Sequence, residues 1–117
     1  MCNAICCRAV GVRLVQLVTS LPARDDAVAL ARAAVEARVA ACGQVVGPVT
    51  SAYRWEGAVR GEEEHLLLLK VPVEGVDALA AFIRERHPYD TPELTALDGP
   101  FIDERYLAWA RAETVEA

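Results

Sequence analysis

The sequence predicts an α+β fold: a ferredoxin-like βαββαβ sandwich with an extra C-terminal helix. Three observations carry this. Segments 23–41 and 74–86 are Ala-rich and helical in period, and each follows an apolar, strand-like stretch. Between them lie two strand-like runs, 44–55 and 62–70, separated only by turn residues, which read as one long antiparallel hairpin. A short run over 93–98 then precedes a last helical segment at 102–112. At 117 residues the chain has the length of one domain. Residues 1–11 read as a flexible leader and 12–117 as the domain.

Each element has its reason. In VRLVQLVTS (12–20) both alternating sets carry apolar residues, as in a strand buried on most of both faces. Pro22 ends it. In the first helix Val28, Ala31, Val35 and Val39, with Leu30 and Ala34 beside them, form an apolar stripe. Asp25 and Asp26 stand where the helix dipole favours negative charge. Gly43 is the expected stop. Gly47-Pro48 predicts a bulge or bend inside the second strand. The run LLLLK does not alternate, so the third strand is expected to be covered on both faces, most simply by another subunit. Val76, Leu79, Ala80 and Ile83 mark the core face of the second helix; Tyr106, Leu107 and Ala110 share one face of the third, with Trp109 nearby.

Composition narrows function. The net charge is −5 and there is no basic stripe, which argues against a nucleic-acid partner. No apolar run approaches a membrane span. Arg8 and Arg13 interrupt the apolar N-terminus, so no secretion signal is read and a cytoplasmic protein is expected. Cys2, Cys6 and Cys7 fall in the leader, with a spacing unlike that of the common zinc modules. Cys42, in an apolar context, reads as a small buried hydrophobe.

The stretch HPYDTPE (87–93) holds one of two histidines. Prolines 88 and 92 push His87 and Thr91 out of helical geometry and stiffen the loop. His87 is then either a helix-end histidine or a site residue held at little entropic cost, with Tyr89 and Glu93 beside it. On the third strand Glu63 and His65 share a face, whereas Glu64 points the other way. Tyr53 and Trp55 also share a face and suit an interface or a pocket wall. Lys70, ending a leucine run, needs a carboxylate, for which Glu56 or Glu64 is the candidate. No nucleophile–base pair and no Gly-rich phosphate loop stand out, so no enzyme is expected.

In order, VTSLP, EARVAACGQV, SAYRWEGAV, EEEHLLLLK, RHPYDTPE and YLAWARAET resemble the CutA-type divalent-cation tolerance proteins over about residues 12–114. The resemblance implies a homotrimer similar in architecture to PII-like signalling proteins, with the hairpins reaching across to neighbours. It also implies a role in divalent metal homeostasis, with Cu(II) as the possible ion and no obligatory cofactor. The copper ligands it implies are a cysteine in the first strand, at the position of Val18, and a histidine pair at 86 and 87, where this chain has Arg86 and His87. His87 is thus the one metal candidate. An intersubunit cleft is expected from Tyr53, Trp55, Glu56, Glu64, Lys70, Tyr89 and Glu93, open to a metal ion or a small anionic ligand.

Overall fold

In a computed structural model, which describes residues 13–99 and 101–115, the chain forms a four-stranded antiparallel sheet with three helices. The order along the chain is β1 (Leu14–Leu21), α1 (Arg24–Glu36), β2 (Cys42–Trp55), β3 (Ala58–Pro72), α2 (Val76–Arg86), β4 (Thr95–Gly99) and α3 (Glu104–Glu113). Across the sheet the order is β2-β3-β1-β4, which is the ferredoxin-like arrangement. The leader, with Cys2, Cys6 and Cys7, lies outside the described residues.

Alternation along the strands builds the core. Val15, Leu17, Thr19 and Leu21 of β1 and Leu67, Leu69 and Val71 of β3 are buried against α1 and α2. Helix α1 meets them with Ala27, Leu30, Ala31 and Ala34, one face at helical spacing. Its stripe is therefore rotated from the expected one: Val35 is exposed and Val28 only half-buried. Asp25 and Asp26 do lie in its first turn.

The helix stops earlier than expected, at Glu36. Arg38 takes a left-handed φ of 62°. Its N–H donates to the Val35 carbonyl at 3.0 Å, and that of Val39 to the Ala34 carbonyl at 3.1 Å. This is a Schellman stop with arginine in the position glycine usually fills. Gly43, expected to end the helix, instead sits in β2 opposite Leu69.

The hairpin turn is also tighter than expected. Glu56 (φ 51°) and Gly57 (φ 78°) form a two-residue loop, and β3 starts at Ala58. Residues with two positive φ values match the twist of the flanking strands, so pairing runs on to Trp55–Ala58. The expected irregularity at Gly47-Pro48 is present as a register shift between Val46 and Val49. Beyond His65, β3 has lost β1 and pairs with β2 alone, so residues 49–64 form a two-stranded arm.

Within the chain the leucine run is covered on one face only. Leu67 and Leu69 are fully buried, while Leu66 and Leu68 are half-buried on the opposite face. Helix α3 covers one end of that opposite face, where Leu107 and Ala110 bury Leu14 and Ala41. The rest leaves Val46 46% and Leu97 54% exposed.

Candidate functional site

Helix α2 ends because Pro88 holds His87 in extended geometry (φ −75°, ψ 139°). The turn carries the His87 ring back onto the sheet, where it is buried. Its Nε2 lies 2.8 Å from the Ser20 carbonyl oxygen, and its Nδ1 accepts the Tyr89 N–H at 3.1 Å. The His87 and Tyr89 rings pack with centroids 5.0 Å apart. The Tyr89 hydroxyl then donates to Glu64 Oε2 at 3.0 Å. HPYDTPE is thus both a helix stop and a bracket reaching the arm.

Strand alternation sets the other half of the site. Glu62 and Glu64 stand two apart on one face of β3, and Tyr53 stands diagonally opposite Glu62 on β2. The Tyr53 hydroxyl donates to Glu62. Two phenols and two carboxylates therefore share the base of the arm. Burial, followed by the bond to Glu64, pushes the Tyr89 hydroxyl up to about 12. The bond to Glu62 raises that of Tyr53. Glu64 is 8% exposed and carries the buried end of the cluster.

The other expected cleft residues lie elsewhere in the chain. Trp55 and Glu56 stand at the arm tip, where Glu56 forms a loose ion pair with Arg60 at 3.9 Å. Glu93, after the stiff loop, accepts from Thr95 at 3.1 Å. Lys70 pairs in register with Cys42 on one side and Gln16 on the other. Its ammonium donates to Gln44, an amide, rather than to Glu56 or Glu64. The reason is reach: Glu64 is six residues away along the same strand, about 20 Å at strand rise. Sequence reasoning passed over Glu62, Ser20 and Gln44. The spacing of Glu62 and Glu64 was the available signal for the first; the other two are chosen by register.

The copper site implied by the resemblance does not fit this chain. Val18 is buried and offers no donor. Arg86 is a cation whose guanidinium sits 3.6 Å over the Phe82 ring and donates to the Phe82 carbonyl. Both His87 nitrogens are engaged by backbone. Glu63 and His65 do not assemble a site with a third ligand: no group of three or more metal-ligating side chains occurs among the described residues. The His65 Nδ1 is buried without a partner, and Gly47 lies so close that a Cβ there would come within 2.8 Å of His65 Cδ2. Cys42 is a free thiol and half-buried, less enclosed than expected.

Residues 15–113, nearly the whole described domain, match the family model for the CutA1 divalent ion tolerance protein. The chain belongs to this family. It is 39% identical over 98 residues to the divalent-cation tolerance protein CutA of Thermus thermophilus, covering 84% of this chain and 95% of the relative. It is 39% identical over 85 residues to the human protein CutA, covering 73% of this chain and 48% of that longer relative. The crystal structure of CutA1 from Oryza sativa superposes with a TM-score of 0.86 at 31% identity, over 91% of this chain and 97% of the other. The CutA fold of this chain is therefore shown by sequence and by coordinates alike. No helix among the described residues is long and apolar enough to cross a membrane.

Proposed function

We propose that this CutA-family chain acts as a homotrimeric divalent-cation tolerance protein in the cytoplasm, without catalysis of its own. The observation that carries the assembly is the apolar face that one subunit leaves open. Leu66, Leu68, Val46 and Leu97 lie there together, and the arm beside them is two strands wide with Trp55 half exposed. A two-stranded ribbon is marginal by itself, and a neighbouring copy supplies the missing third layer. The cytoplasm suits the free Cys42 thiol, which stays reduced there. For the ion, the reading rests on the family and on oxygen donors: Glu62 and Glu64 share a face and each has an oxygen beyond its phenol bond.

Two measurements test this reading. Light scattering with mass determination is expected to give three times the chain mass; a stable monomer overturns the assembly. Calorimetric titration with Cu(II) is expected to show binding that weakens at least tenfold in the double variant Glu62→Gln/Glu64→Gln. Equal binding by both proteins overturns the carboxylate assignment.

A further inference from the structure

We propose that His87 is a neutral latch, with its proton on Nε2, that splices the loop after α2 onto the end of β1 and positions Tyr89, so that its imidazole serves the fold and is closed to metal ions.

The protonation state follows from the partners. A backbone carbonyl can only accept, so Nε2, 2.8 Å from the Ser20 oxygen, carries a hydrogen. A backbone N–H can only donate, so Nδ1, 3.1 Å from the Tyr89 nitrogen, presents its lone pair. Only one tautomer satisfies both. A metal ion also needs a lone pair, and the one available is already spent on the Tyr89 amide.

The latch has a location that explains its need. Strand β4 pairs with β1 only as far as Val18–Thr95. The Arg13 carbonyl accepts from Val73 at 3.0 Å, so odd-numbered residues of β1 turn their polar groups toward β3. Even-numbered ones turn toward β4, and Ser20 comes two residues past its end. There the His87 ring supplies the donor that β4 has ceased to supply. Ser20 is buried, so an unmet carbonyl there would be costly. The same ring fixes the Tyr89 amide, and the Tyr89 hydroxyl in turn reaches Glu64. One imidazole thus ties β1 to the arm face through two further residues.

The test is nitrogen-15 NMR of histidine-labelled full-length protein, with His65→Gln used to assign the two rings. The expected spectrum has a protonated Nε2 and a bare Nδ1 for His87, with slow solvent exchange at Nε2. A Nδ1-protonated or rapidly averaging ring overturns the proposal. Zn(II), which is diamagnetic, is the ion probe. One equivalent is expected to leave the His87 nitrogens unshifted, and a selective Nδ1 shift overturns the closure to metal. His87→Asn keeps an acceptor for the Tyr89 amide through an Asx turn, whereas His87→Ala does not. Hydrogen exchange at the Tyr89 amide is expected to stay slow in the first and to accelerate at least tenfold in the second. Equal rates in the two variants overturn the positioning role. These readouts do not depend on whether Glu62 and Glu64 hold an ion.

Discussion

Gly43→Ala isolates the contact between helix α1 and the sheet. An ideal Cβ at position 43 would lie 2.9 Å from the Ala31 Cβ, 3.1 Å from Leu69 Cδ2 and 3.3 Å from the Ala31 Cα. The first and third atoms belong to a helix whose face is locked by Leu30 and Ala34, and Leu69 is fully buried. Neither neighbour has open space to move into, so the added methyl forces the helix off the sheet. Overpacking of this kind costs about 1–3 kcal/mol. Against it stands the loss of chain entropy in the unfolded state, worth about 0.4–1 kcal/mol in favour of alanine. The net expectation is a loss of about 1–2 kcal/mol. Urea unfolding followed by circular dichroism measures it, with protein concentration held fixed because assembly adds to apparent stability. Ala31→Gly removes the closer of the two helix contacts, the one at 2.9 Å to the Ala31 Cβ, so the double variant should lose less than the two single losses summed. A Gly43→Ala protein as stable as the parent, or more stable, would refute the argument that α1 needs a bare backbone at this point.

Two further outcomes rest on other parts of the fold. Arg38→Gly should stabilise by about 0.5–1 kcal/mol, because it relieves the left-handed φ of 62° at the helix stop while giving up only an exposed bond to the Ala112 carbonyl; a destabilised variant in the same unfolding assay contradicts this. Tyr89 has a folded-state value of about 12 against an ordinary 10.0. Its contribution is complete below about pH 10 and is lost as pH rises toward 12, since the unfolded chain releases that proton first. Absorbance titration near 295 nm should therefore show a tyrosine step near pH 12 that is missing from Tyr89→Phe. The variant's stability should also fall less steeply across that interval.

Much of the fold was legible from pattern. The apolar runs of β1 and β3 and the helical period of residues 23–41 are local signals, and they fix element type, while the inward face of α1 came out rotated onto Ala27, Leu30, Ala31 and Ala34. The motif series from VTSLP to YLAWARAET was enough to point to the CutA family, which the family match bears out. Boundaries were less legible. Arg38 takes the position that favours glycine, and Gly43 serves close packing rather than a turn. Glycine has two uses, and sequence does not say which one is in force.

The candidate site divides along the same line. The prolines established that the loop after α2 is stiff, whereas the two-residue spacing of Glu62 and Glu64 in EEEH was an available signal that the sequence reading did not use. Which groups meet was decided by register and strand length. Lys70 faces Cys42 and Gln16, so it is held by Gln44 and kept from either glutamate. Strand β4 begins only at Thr95, opposite Val18, so the Ser20 carbonyl is left for His87. The sequence by itself determined the type and order of the secondary elements and the family. Tertiary structure decided the partners of each polar side chain, because hydrogen bonds reach only about 3 Å and that proximity is set by pairings between residues as far apart as Ser20 and His87.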